Sequence, residues 1–376
     1  MTRVWVLMAL SMAVSSLSAQ VPIPAPPQIG ASSYILTEFA TGRVLADSNA
    51  DERVEPASLT KLLTAYTAFH ALRQGRVSLD DEVLVSEKAW RMEGSRMFIE
   101  VGTRVRLEAL FRGMIIQSGN DASVAIAEHV AGTEEAFVDL MNQHAALLGM
   151  TGSSFRNTTG LPDPDHYVTA RDIAVLAHAI IAEFPEYYDW YSETGFTYNE
   201  ISQYNRNALL ARDDSVDGLK TGHTNSAGYC LVTSAERSGM RLISVVTGMS
   251  SARAREDGSL ALLNYGYRNF EAHKLYGAGE PVTSTRVWKG EPAEASLGLT
   301  EDIFVTVPRG KYDALEAVMD VDAEVLAPLA DGDIVGSVRV SLDGEEIASA
   351  PLVALHDVGE ASLWTRLKDE LTLWLQ

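Results

Sequence analysis

Pro56-Ala57-Ser58-Leu59-Thr60-Lys61 is the stretch on which the reading of this chain turns. It runs into an apolar series, Leu62, Leu63, Tyr66, Phe69, His70 and Leu72, whose spacing predicts a helix over 58–73. Pro56 sets the entry into that helix. Ser58 and Lys61, three residues apart, then share one helical face. A serine hydroxyl is a weak nucleophile until a base removes its proton. An amine serves as that base once burial or neighbouring cations bring its pKa far below the ordinary value of about 10.4.

Two further motifs follow in order. Ser118-Gly119-Asn120 breaks the chain between predicted helices over 107–116 and 121–130, and Lys220-Thr221-Gly222 precedes two predicted strands over 227–235 and 240–247. Ser118 is placed to relay a proton, and Asn120 to offer an amide to the surroundings of Lys61 or to a substrate backbone. Lys220 supplies a second cation beside Lys61. Each motif alone has a plain structural reading: Ser58 as a helix N-cap, Lys61 as a solvated helix residue, Ser118-Gly119-Asn120 as a loop. The ordered trio, on a helix start, a loop and a strand edge, favours serine acyl-enzyme chemistry.

The rest of the 376 residues bounds this reading. Hydrophobic residues make up 46%, enough for a sizeable core, and the length allows two or three domains. Acidic residues outnumber basic ones by 51 to 30, the wrong balance for a nucleic-acid binder. Residues 1–19 read as a secretory leader, with Arg3, an apolar run over 4–14 and small residues ending at Ala19. The single cysteine, Cys230, allows no internal disulfide and reads as a buried strand residue. There is no His-Glu-x-x-His and no cysteine cluster, and no cofactor is expected.

Strands over 34–39 and 43–47, helices over 135–148, 171–182 and 255–270, and the strands after Gly218 predict an α+β catalytic domain over 28–276. From 277 to 357, short apolar runs punctuated by Pro308-Arg309-Gly310 and Asp343-Gly344-Glu345 predict a small all-β domain. Residues 360–376 carry Leu363, Trp364, Leu367, Leu371 and Trp374 at helical spacing, an amphipathic tail suited to a membrane interface or to docking on the chain's own surface.

The sequence resembles the serine-type D-alanyl-D-alanine carboxypeptidases, the low-molecular-mass penicillin-binding proteins. The resemblance rests on the trio, on Arg112-Gly113-Met114-Ile115-Ile116-Gln117-Ser118-Gly119-Asn120-Asp121, and on Asp217-Gly218-Leu219-Lys220-Thr221-Gly222-His223-Thr224. It implies a penicillin-binding/β-lactamase-like transpeptidase fold and a β-rich stalk. It also implies removal of the terminal D-alanine from peptidoglycan stem peptides, with β-lactams acylating the same serine. By this resemblance Ser58 is acylated and Lys61 is the general base, while Ser118 and Asn120 assist. Lys220, Thr221 and Gly222 line the substrate-binding strand, and the backbone N–H groups of Ser58 and His223 form the oxyanion hole. Arg255 and Arg206 are candidates for the terminal carboxylate, and His166, in a matching loop, is expected to be structural. An exported protein, peripheral on the outer face of the cytoplasmic membrane through its tail, is expected. A D,D-endopeptidase, a β-lactamase and a non-catalytic penicillin sensor are the alternatives.

Overall fold

The computed structural model describes residues 23–375, so the leader expected at 1–19 lies outside the described residues. A five-stranded antiparallel sheet is built from β1 (Ser33–Glu38), β2 (Val44–Ser48), β3 (Val216–Thr224), β4 (Gly228–Arg237) and β5 (Met240–Met249). Its spatial order is β2-β1-β5-β4-β3, which leaves β3 at an edge. Side chains alternate between the two faces of a strand. Ile35, Val232, Ile243 and Val245 accordingly join the core under one face, and Leu36, Leu231, Leu242 and Val246 the core under the other. Both faces are covered, as the nearly continuous apolar runs of β4 and β5 require.

The larger core holds α1 (Thr60–Arg73), α2 (Leu107–Ile115), α3 (Asn120–Ala131), α4 (Glu134–Leu147) and α5 (Ala170–Glu183), whereas α6 (Ala252–Asn269) closes the opposite face through Leu262 and Leu263. Helix α1 is buried continuously from Thr60 through Phe69, the signature of a helix threaded through a core and not laid upon it. Its threonines are accommodated by local bonds: Thr64 Oγ1 donates to the Thr158 carbonyl at 2.8 Å. Helices α4, α5 and α6 start one to three residues before the expected positions because Thr133, Thr169 and Ser251 cap them, accepting from Ala136, Asp172 and Ala254 N–H.

At Phe270 the chain becomes a strand and not the end of α6: β6 (Phe270–Tyr276) pairs with Ile303–Pro308. A six-stranded sheet of mostly antiparallel strands follows, whose long central hairpin joins Ile334–Leu342 to Glu345–Ala354. The two units meet at Glu38, a buried carboxylate on β1. It accepts bonds from Ala40 N (2.9 Å), Thr41 N (2.9 Å), Thr41 Oγ1 (2.6 Å) and Thr306 Oγ1 (2.8 Å). The Arg43 guanidinium donates to the Thr306 carbonyl across the same seam.

The tail is helix α7 (Leu363–Trp374). Its polar side docks on the β-rich unit. Asp369, buried, accepts from Arg286 Nη2 at 2.9 Å and from the Lys289 N–H at 2.7 Å, and Glu370 pairs with Lys289. Leu363, Trp364, Leu367, Leu371 and Trp374 stand exposed on the other side. Among the described residues no helix is long and apolar enough to cross a membrane.

One close approach joins the loop before α5 to the start of α1. Gly160 has φ +84°, and a Cβ there would lie 1.7 Å from the Ala57 carbonyl oxygen. A Gly160→Ala variant is expected to lose about 3 kcal/mol of unfolding free energy, combining backbone strain with a clash against main chain. Gly75→Ala, with φ +67° but open space around it, should lose only about 1 kcal/mol. Urea unfolding of the two variants checks this difference.

Candidate active site

The chain turns into α1 through a single 3₁₀ turn, Ala57–Leu59. Ala57 takes φ +46°, a conformation that non-glycine residues rarely adopt. The turn is wedged between two glycines: Gly160 on one side, and on the other Gly222, whose Cβ would lie 3.0 Å from the Pro56 carbonyl oxygen. Two small residues thus let β3 and the Gly160 loop close on the backbone that carries Ser58.

Ser58 is half-buried, and its Oγ lies 2.9 Å from Lys61 Nζ. Lys61 Nζ also donates to the Thr159 carbonyl at 2.6 Å. Burial brings the Lys61 pKa down to about 7. The Asp121 carboxylate opposes that shift and the Arg206 guanidinium adds to it. Arg206 is thus a cation that acts on Lys61, beside the Lys220 to which the sequence points. Lys220 is itself held well below the ordinary lysine value, first by burial and then by the charges of Lys61, Arg206 and Arg255.

Ser118 sits between α2 and α3 with φ +68°. Its Oγ accepts from Lys220 Nζ at 2.9 Å, and Lys220 also donates to the Thr221 carbonyl at 3.1 Å. Two serine–amine pairs, Ser58–Lys61 and Ser118–Lys220, therefore stand in one site. A cavity of about 380 Å³ opens over them, with Thr221, Gly222, His223, Arg206 and Arg255 in its walls. In a chain of net charge −21, this cleft gathers four basic side chains, an arrangement that draws in anions.

The remaining expected residues fall as follows. Arg206 is exposed and held by Nε donating to the Gln117 carbonyl at 3.0 Å, and Arg255 is buried against β3. Asn120 does not offer its amide to Lys61. Its Nδ2 donates to the Glu93 carbonyl at 2.5 Å, and its N–H donates to the Ser95 carbonyl at 2.7 Å. It thereby anchors the loop that presents Ser95 to the cavity. His166 is buried, with Nε2 at 3.0 Å from Thr60 Oγ1 and its ring edge-on to Phe155. Burial takes its pKa down to about 4, so it is a neutral packing residue.

Four participants escaped the sequence reading. Ser95, Tyr229 and Ala252 line the cavity without belonging to any motif that singles them out. Asp121 accepts from the N–H groups of Met97 (2.9 Å), Phe98 (2.9 Å) and Ile99 (3.3 Å), so it fastens the Ser95 loop from below. Its position directly after Ser118-Gly119-Asn120 was the available signal. Among the described residues no cluster of His, Cys, Asp or Glu is arranged to hold a metal ion.

Comparison with known proteins gives the same neighbourhood. Residues 20–251 match the family model described as D-alanyl-D-alanine carboxypeptidase, and residues 270–360 match that of the penicillin-binding protein 5 C-terminal domain. The chain is 44% identical over 354 residues to D-alanyl-D-alanine carboxypeptidase DacA of Haemophilus influenzae, covering 93% of this chain and 90% of that one. It is 41% identical over 365 residues to the DacA of Escherichia coli, covering 95% and 91%. A crystal structure of penicillin-binding protein 5 from Haemophilus influenzae superposes with a TM-score of 0.84 at 44% identity, covering 90% of this chain and all of that one. The chain belongs to the D-alanyl-D-alanine carboxypeptidase family.

Proposed function

We propose that this protein is a serine D,D-carboxypeptidase that removes the terminal D-alanine of peptidoglycan stem peptides and is acylated at Ser58 by β-lactams. The observation that carries the reading is the 2.9 Å contact between Ser58 Oγ and an amine whose pKa burial brings to about 7. That amine is substantially neutral at physiological pH, so it can accept the hydroxyl proton without a second base.

In the first step Lys61 takes the Ser58 proton as Oγ bonds to the carbonyl carbon of the penultimate D-alanine. The carbonyl oxygen gathers negative charge against the N–H groups of Ser58 and His223. Such donors contribute about 3 kcal/mol each when placed in a dry site. The C–N bond then breaks, and Lys61 passes the proton it took from Ser58 to the departing amine through Ser118, which Lys220 holds at 2.9 Å, so that Lys61 is neutral again. Free D-alanine leaves, and the shortened peptide remains as an ester on Ser58. In the second step Lys61 takes a proton from water, the resulting hydroxide attacks the ester, and Ser58 Oγ regains its proton. Arg255 and Arg206 receive the terminal carboxylate, and Thr221 and Gly222 of β3 align the peptide as an added strand.

The tail fits a peripheral place on the outer face of the cytoplasmic membrane. Its docked side carries the charges, and its free side carries exposed Leu363, Trp364, Leu367, Leu371 and Trp374. Arg366 and Lys368 are balanced by Asp369 and Glu370, so apolar burial and not attraction to anionic lipid drives the contact.

Four outcomes are expected. Intact-mass spectrometry after incubation with benzylpenicillin should find one adduct on the wild type and none on Ser58→Ala. An adduct elsewhere than residue 58 overturns the assignment. The kcat/KM for D-alanine release should rise with pH through a midpoint near 7, because the active form of Lys61 is the neutral one. Lys61→Ala should cut acylation by about 10²–10⁴-fold. Replacing Trp364 and Leu367 by glutamate should abolish flotation with lipid vesicles while leaving hydrolysis of a soluble peptide intact. Wild-type flotation should depend little on the anionic-lipid content.

A further inference from the structure

Arg255 reaches the cleft from the first turn of α6 and is 7% exposed. Its hydrogen bonds to the protein both run through Nη1, to the carbonyls of Gly222 (3.1 Å) and Cys230 (3.4 Å). Among the described residues its Nε has no hydrogen-bond partner. No carboxylate of the described residues forms an ion pair with it; the adjacent Glu256 is taken by Arg212 at 2.7 Å. A buried guanidinium with so few acceptors needs something else to fix its plane.

That role falls to Tyr229. Its ring centroid lies 5.6 Å from Arg255 Cζ, within the range of a cation–π contact. The same ring packs against the imidazole of His223, centroids 4.0 Å apart and planes inclined by 32°. Tyr229 and His223 are partners in the β3–β4 register, so the ring rests on a residue of the substrate-binding strand. Guanidinium, phenol ring and imidazole form one stack that lines the cavity beside Thr221.

We propose that Tyr229 is a positioning residue: it holds the Arg255 guanidinium in the plane and position at which it meets a carboxylate, and so carries the preference for substrates with a free C-terminus. The inference rests on the reading of Arg255 given above. A cation–π contact is electrostatic and survives removal of the phenol hydroxyl, whereas an aliphatic side chain of similar bulk cannot replace it.

The test compares diacetyl-L-lysyl-D-alanyl-D-alanine with its C-terminal carboxamide, measuring kcat and KM for release of the terminal residue from each. Tyr229→Leu should lower the acid-to-amide ratio of kcat/KM roughly tenfold, through a higher KM for the acid, with a smaller fall for the amide than for the acid. Tyr229→Phe should keep the wild-type ratio. Arg255→Ala should collapse it. If Arg255→Ala leaves the ratio unchanged, the carboxylate assignment of Arg255 fails. If Arg255→Ala collapses the ratio but Tyr229→Leu does not, the positioning role of Tyr229 fails. An equal fall for acid and amide in Tyr229→Leu marks a scaffold role and also overturns the proposal.

Discussion

The structure is organised around one unfavourable burial. A lysine amine, Lys61, is carried into the core by a helix that is covered on every side over its first turns. Removing a charge from water disfavours the charged form, and here that penalty leaves a large share of the amine unprotonated at neutral pH. The consequences spread outward. The loop carbonyl of Thr159 must reach the amine, Gly160 must follow without a side chain, and Gly222 must let β3 approach the same turn. Much of the catalytic unit is thus arranged to keep one amine dry and still touching one hydroxyl.

A second amine in the same site makes the electrostatics restrictive. Lys61 and Lys220 cannot both hold a full charge at low cost, because each is buried and the charge of Lys61 bears on Lys220. Arg206 and Arg255 add permanent positive charge at the rim and at depth. Asp121 is the carboxylate whose charge acts on Lys61 in opposition. Its oxygens are also engaged by three backbone N–H groups of the Ser95 loop. The cleft is therefore short of negative charge, a deficit that a carboxylate relieves.

The architecture was largely legible in the sequence because it rests on periodicity. The nearly continuous apolar runs of β4 and β5, the apolar spacing of α1 and the punctuated β-rich segment each point to one element type. Boundaries slipped where a capping hydroxyl extended a helix, at Thr133, Thr169 and Ser251, and where Phe270 left α6 to pair with Pro308. In the site, the motif positions Ser58, Lys61, Ser118 and Lys220 were readable because their chemistry depends on residue type and local spacing. Tyr229 and Ser95 were not, since their place in the cleft arises from what lies across a strand pair or at the far side of a loop. Asn120 was visible as a motif residue, but its bond to the Glu93 carbonyl was not, because that partner lies 27 residues away along the chain.

The seam at Glu38 decides how the two units travel together. A buried carboxylate held by four donors, one of them from the β-rich unit, ties the two units together at this point, because a swing would cost Glu38 the Thr306 bond. The β-rich unit then behaves as a strut and not a tether. Its nine-residue strand Ile334–Leu342 alone measures on the order of 30 Å. The exposed apolar row of α7 is docked on that unit through Asp369, so its position relative to the cleft is set through the same seam.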